Sequence, residues 1–270
     1  MPPTLNSLRK PSDHALSQKE RRRGFRRSWL RRSLLPALSR PFLVSTATVL
    51  ILSPHQDDET LGCGGLIALK RQQGIPVTVA FVTDGGQYKG DLPADKRAAV
   101  CAIRRKEAFA ALGILGVPET AVHFLDFPDG GLSGLSGVQQ AHLRSTIHGL
   151  IQQCQPGEIY VPHRHDSHPD HEATYSLVRE VLSQVPTTIT VYEYLVWMIW
   201  SRNRLFSSLR WSDLQRGYRL STLDVQEKKQ QAMKEYHSQL ASLPVGFVEH
   251  LLDGNEFYFC SRSERVTTPR

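Results

Sequence analysis

From residue 43 onward the chain alternates short apolar runs with longer stretches of helical spacing, and this alternation constrains the fold more than any other feature. Residues 44–53 form a β-branched apolar run that stops at Pro54; residues 76–83 form a second that stops at Asp84-Gly85-Gly86. Further strands are expected at 122–125, 158–162 and 187–194. Helical spacing fills the gaps at 60–73, 94–112, 138–154 and 169–183; Gly113 closes the second of these and Pro169 stands in the first turn of the last. Such alternation predicts one α/β domain, a Rossmann-like and mostly parallel sheet with helices on both faces. A helix over 223–240 and a last strand over 256–260, at a sheet edge, complete the reading.

The domain is expected to span residues 42–270, behind a basic, flexible segment at 1–41. Charge draws that boundary. The chain carries 33 Lys+Arg and 26 Asp+Glu, yet residues 1–40 hold 11 of the basic residues and only two acids. That segment is therefore +9, and the remaining 230 residues are −2. The basicity belongs to the segment and not to the fold, which argues against a nucleic-acid-binding domain. Residues 20–40 interleave Phe25, Trp29, Leu30, Leu34 and Leu35 with arginines, a pattern suited to an anionic membrane surface. No apolar run approaches the roughly 18–20 residues that span a bilayer. The four cysteines are far apart and form no CxxC pair, which fits a reducing, cytoplasmic setting with peripheral membrane contact. A homo-oligomer is left open.

In open parallel sheets ligands bind at the carboxyl ends of the strands. Three such ends carry unusual polar clusters, at 54–59, 84–86 and 163–171, and the first and last of them hold histidines. After the first strand comes SPHQDDET, with His55, Asp57, Asp58 and Glu59. Adjacent carboxylates repel one another, and gathering them in a cleft makes sense where a cation compensates them. The imidazole shifts the expected ion from Mg²⁺ or Ca²⁺ toward Zn²⁺ or another divalent transition metal. After the fourth strand comes PHRHDSHPDHEAT, with four histidines in nine residues. A helix beginning at Pro169 puts His168 at its cap and His171 in its first turn, so both imidazoles can face one space. A His and an Asp from the first cluster with a His from the second make a three-ligand site of the hydrolytic kind, with one Asp left over as general base.

PHQDDE followed by HPDH resembles the paired motifs of the LmbE/PIG-L family of zinc-dependent N-acetylglucosamine deacetylases. Weaker resemblances lie in VTDGG (82–86), RRKEAFAALGI (104–114), LDFPDGGL (125–132) and KQQAMKEYHSQ (229–239). The resemblance implies His55, Asp58 and His171 as metal ligands and Asp57 as general base. It implies His168 as the group that stabilises the oxyanion or protonates the leaving amine, with Asp170 orienting it. Gln56 stands where the family usually has Pro. Asp166 stands where some members have a Tyr that polarises the substrate carbonyl. Arg104, Asp129 and Asp166 are candidate substrate-binding residues. His163 and His165 are expected at the rim, and the VWMIW stretch (196–200) in the core, at a sugar-stacking surface or at an oligomer contact.

The implied activity is removal of an N-acetyl group from a glucosamine-containing glycoconjugate. A metallo-amidase on another N-acyl substrate is one alternative, and a non-catalytic metal-binding protein recruited to an anionic membrane surface is another. A dinucleotide-dependent oxidoreductase is disfavoured, because the first strand leads into acidic residues and not into GxGxxG.

Overall fold

The computed structural model describes residues 35–86, 92–185, 188–200, 213, 216–244 and 246–261. Eight strands form one sheet: β1 Arg40–Pro41, β2 Val49–Ser53, β3 Val77–Thr83, β4 Val122–Phe127, β5 Glu158–Pro162, β6 Thr190–Tyr194, β7 Gly217–Ser221 and β8 Asn255–Ser261. Their order is β1-β7-β8-β6-β5-β2-β3-β4. All pairings are parallel except those of β8, which runs antiparallel to both β6 and β7. Among the described residues, five helices of ten residues or more accompany the sheet: α1 Asp58–Gln72, α2 Ala94–Leu115, α3 Gly137–Cys154, α4 Pro169–Ser183 and α5 Gln226–Glu235.

The period-2 alternation of strand side chains divides the core into two halves. From β2, Val49 and Ile51 pack into one cluster and Leu50 and Leu52 into the other. The first cluster takes in Leu66 and Ile67 of α1, Ala108 and Leu112 of α2, and Met233 of α5. The second takes in Leu143 and Ile147 of α3 and Val178 and Val181 of α4. Helices therefore cover both faces, and every residue of β2 is buried. Among the described residues, no helix is long and apolar enough to cross a membrane.

The expected edge strand is an inner one. β7 lies beyond β8, in a register that sets Leu220 opposite Glu256, and Arg40–Pro41 extends the sheet past β7. Leu35 is buried as well. The last residues of the segment read as a basic tail thus pack on the sheet, whereas residues 1–34 lie outside the described residues. Helix α2 does not stop at Gly113. It runs one further turn to Leu115, and Gly116 ends it in the left-handed region (φ 91°). Gly113 costs a helix about 1 kcal/mol relative to Ala. Burying Leu115 returns about 1.5–3 kcal/mol. The helix expected over 223–240 is broken at Tyr236 (ψ 49°), after which His237–Leu240 form a separate turn.

A buried ion pair fixes α1 against the second half of the sheet. Lys229 Nζ donates to Glu256 Oε1 (2.7 Å) and to the Leu61 carbonyl (2.9 Å). Glu256 also accepts from the Gly65 and Leu66 amides (2.6 and 2.9 Å) and from the Tyr258 hydroxyl. The carboxylate can reach α1 because position 65 is glycine; a Cβ there would stand 2.2 Å from Thr222 Cγ2. Lys229→Ala is expected to cost about 3–5 kcal/mol in urea unfolding, because it strands a buried carboxylate. A loss below about 1 kcal/mol, the range of a surface pair, would contradict this reading.

Candidate metal centre and active-site cleft

The strand order reverses at β2, which has β3 on one side and β5 on the other. The loops that leave the carboxyl ends of β2 and β5 flank this switch point, where open α/β sheets bind ligands. The first loop, Pro54–Asp57, leads into α1. The second, His163–His168, leads into α4, with His168 as its N-cap. Both loops contain a strained residue: Asp57 has φ 142° and Ser167 φ 71°. Such conformations persist where the surroundings enforce them. For Asp57 the restraint is Glu59, whose Oε2 accepts the Asp57 amide at 3.1 Å. Glu59 Oε1 in turn accepts from the Thr60 hydroxyl (2.6 Å) and from the Tyr236 hydroxyl. Burial pushes the Glu59 carboxyl up to about 7 against these donors.

The two sequence clusters meet. Asp58 Oδ2 lies 3.1 Å from His55 Nδ1 and 3.1 Å from His171 Nε2. The opposite ring nitrogens are held by other carboxylates. His171 Nδ1 lies 2.8 Å from Asp166 Oδ2. His55 Nε2 lies 3.1 Å from Asp129 Oδ1 and 3.2 Å from Asp170 Oδ2. Two of these carboxylates are anchored by backbone amides. Asp166 accepts from Val196, Trp197 and Met198, and Asp170 from Gly130 and Leu132. A carboxylate on the far nitrogen sets the tautomer and turns the near lone pair toward a metal. His171 Nε2 is fully buried and, despite its closeness to Asp58, makes no hydrogen bond. Two imidazoles and a carboxylate facing one point are a donor set suited to zinc or a similar ion.

Two groups of three bring ligand atoms within 4.8 Å of one another, His55–His168–His171 and His55–Asp129–Asp170; Asp58 belongs to neither and meets His55 and His171 pairwise. The centre is thus surrounded by more donors than a cation needs.

The electrostatics follow from burial and charge. Burial alone would lower the basicity of His171, but Asp58 and Asp166 outweigh it and push the imidazole up to about 9. Burial would raise Asp58, but His171 and His55 hold it far below the usual carboxylate range. Burial and the neighbouring Asp58 push Asp57 well above that range. Burial, helped by His55 and His171, lowers His168 to about 4.

A cleft of about 150 Å³ opens over this cluster, lined by His55, Asp57, Asp58, Arg104, Asp129 and His168. Leu61, Trp197, Gln239, Ser242 and Leu243 complete its wall. Two expected roles are placed differently. Asp166 does not reach the cleft: it is fully buried, and its oxygens are taken by His171 and three amides. Asp170 orients His55 through its carboxylate; only its backbone amide touches His168, at Nδ1 (3.3 Å). His163 is buried beside Glu193 (3.7 Å), and His165 is exposed. Of the VWMIW stretch, Val196 and Met198 are core, whereas Trp197 lines the cleft and packs on Phe247, with ring centroids 4.6 Å apart. Gln239, Ser242 and Leu243 were not anticipated, since only a long-range fold brings them here.

Residues 50–182 match the family model described as PIG-L, GlcNAc-PI de-N-acetylase. A relative named probable N-acetyl-alpha-D-glucosaminyl L-malate deacetylase 2, from Bacillus anthracis, is 32% identical over 142 residues, 51% of this chain. The chain spans about 60% of that relative's length. The solved N,N'-diacetylchitobiose deacetylase of Pyrococcus horikoshii superposes with a TM-score of 0.57 at 22% identity, covering 87% of this chain and 91% of that one. The 4-carboxy-2-hydroxymuconate hydratase GalB of Pseudomonas putida superposes with a TM-score of 0.59 at 18% identity, covering 83% and 99%. At such identities the superpositions speak for the fold alone. The family model and the relative together place residues 50–182 of this chain in the PIG-L family.

Proposed function

We propose that the chain is a metal-dependent hydrolase that removes the acetyl group from an N-acetylglucosamine-type conjugate, with zinc as its ion. The observation that carries this reading is the convergence of His55 Nδ1 and His171 Nε2 on one Asp58 oxygen, beside a cleft that also holds Asp57. His55, Asp58 and His171 would hold the cation. When bound, it would supply Lewis acidity toward an amide carbonyl and acidify solvent water. The names of the PIG-L model and of the Bacillus relative support the choice of acyl group and sugar.

The chain's own residues account for the proton transfers. Asp57 is the general base. It lines the cleft beside the ligand set, and burial favours its uptake of the proton that water gives up on attacking the amide carbon. The C–N bond then breaks, acetate leaves, and the amine takes the proton that Asp57 received from the water. His168 is neutral near pH 7, and its Nδ1 accepts the Asp170 amide, so Nε2 carries the hydrogen. That N–H serves the oxygen where charge develops, or the leaving nitrogen. Arg104 and Asp129 serve sugar hydroxyls from the cleft wall. Asp166 keeps the tautomer of His171, and Asp170 that of His55.

Chelator-treated protein is expected to release no acetate from N-acetylglucosamine conjugates, and added zinc to restore release. Metal-loaded protein that releases acetate from no member of such a panel would refute the reading. The GalB likeness makes acetate, and not mere substrate loss, the product to measure.

The basic segment calls for its own test. Residues 20–40 are proposed to bring the enzyme to anionic membrane surfaces. Full-length protein is expected to co-sediment with phosphatidylserine vesicles and much less with phosphatidylcholine vesicles, and deletion of residues 1–34 to abolish the difference. Equal sedimentation of both forms would overturn this role.

A further inference from the structure

We infer that Gln239 is a substrate-binding residue of the cleft, donating its side-chain amide to an uncharged oxygen of the N-acetylated sugar. The inference rests on the proposed function for the identity of the sugar, and on the geometry of this chain for the residue.

Gln239 is 97% buried, as its relative exposure is 3%. Its side chain lines the cleft, yet its Nε2 has no hydrogen-bond partner. A buried amide nitrogen left unpaired costs about 1–3 kcal/mol. Turning the terminal amide over exchanges nitrogen and oxygen but leaves one polar atom uncommitted. Its neighbours do not absorb it. The Ser242 hydroxyl donates to the Gln239 backbone carbonyl (2.7 Å), and the Gln239 amide donates to the Tyr236 carbonyl (3.1 Å). The backbone is thereby fixed while the side-chain amide is left for a ligand.

The chemistry of the wall narrows what that ligand atom is. Among the described residues the cleft is otherwise lined by the ionisable His55, Asp57, Asp58, Arg104, Asp129 and His168, by Ser242, whose hydroxyl is already engaged, and by Trp197, whose indole N–H is also a neutral donor. Gln239 adds an uncommitted side-chain amide to the neutral N–H groups of His168 and Trp197, a set matched to the hydroxyl and amide oxygens of an N-acetylated sugar. Its placement follows from the helix break at Tyr236. That break lets the Tyr236 hydroxyl reach Glu59, and Glu59 holds the Asp57 backbone. The same turn therefore ties the neutral donor to the loop that carries the base.

The test uses the full chain and two readouts. By calorimetry on metal-free protein, Gln239→Leu is expected to weaken binding of N-acetylglucosamine about tenfold, and Gln239→Glu, which exchanges the donor for an acceptor, at least as much. In acetate release from an N-acetylglucosamine conjugate, Gln239→Leu is expected to raise KM about tenfold and leave kcat within about threefold. Circular dichroism melts of the variants should overlay the parent. Equal sugar binding by parent and both variants, or binding by none of them, overturns the inference. Weakened binding by the variants, with no acetate released by the parent, upholds Gln239 as a sugar-binding residue and instead overturns the hydrolase reading.

Discussion

Asp57→Asn is expected to lower kcat for acetate release by about 10²–10⁴-fold, the usual contribution of a positioned general base. Metal content should be unchanged, since Asp57 is not among the proposed ligands. Asn fills the same volume and keeps the loop, yet cannot take the proton of the attacking water. The effect should reside in kcat and not in KM, because the proton moves during the reaction and not on binding. Asp57→Gly would be a poorer probe. With φ at 142°, glycine would relax the backbone as well as remove the base. Unchanged acetate release by Asp57→Asn would show that another group carries the proton, and the neighbouring His168 would be the first to examine.

His171→Ala is expected to abolish metal retention and with it activity, again by several orders of magnitude. The ring is fully buried, with Asp166 on one nitrogen and Asp58 beside the other. Removing it deletes one ligand and leaves two buried carboxylates facing a void, so a loss of stability should accompany the loss of metal. The same geometry sets the pH dependence of metal binding. In the metal-free protein the two carboxylates push the His171 imidazole up to about 9, so below that pH a cation must displace a proton. Against burial, Asp129, Asp170 and Asp58 raise His55 as well, so two ligand protons compete with the metal, and affinity is expected to fall by more than tenfold for each pH unit over which both are held. Titration with zinc in a competing chelator at pH 6.5, 7.5 and 8.5 measures this; a pH-independent affinity would contradict it. Asp166→Asn should weaken the metal less than His171→Ala does, by roughly 10–100-fold, since it only loosens the orientation of the ring.

Much of this arrangement is legible in the sequence where punctuation is strong. Strand β5 and helix α4 run over the expected residues because Pro162 and Pro169 bracket the turn between them. The meeting of His55, Asp58 and His171 was also foreseeable, because each cluster follows an apolar strand and parallel strands place such ends on one side. The partners of those residues were not. Asp166 and Asp170 each lie close in sequence to His168, but the fold assigns Asp166 to His171 and Asp170 to His55 of the other loop. Helix spacing cannot reveal this, because it is set by the β4–α3 loop and the segment after β6, whose amides clamp the carboxylates. The inner position of β8 was hidden for a similar reason. A strand reads as edge or centre only through its neighbours, and β7 is a five-residue run with an exposed Ser221 and a half-buried Arg219. Tyr236 breaks its helix for a buried hydroxyl contact 177 residues away in sequence, which no local propensity encodes.

The most direct measurement is anomalous diffraction at the zinc edge from crystals of the metal-loaded protein. One peak is expected, within about 2.0–2.3 Å of one nitrogen of His55, one of His171 and an oxygen of Asp58, with Asp57 near it but outside the ligand set. A peak bound instead by His168, or by Asp129 and Asp170 without Asp58, or no peak between the loops that follow β2 and β5, would contradict the assignment.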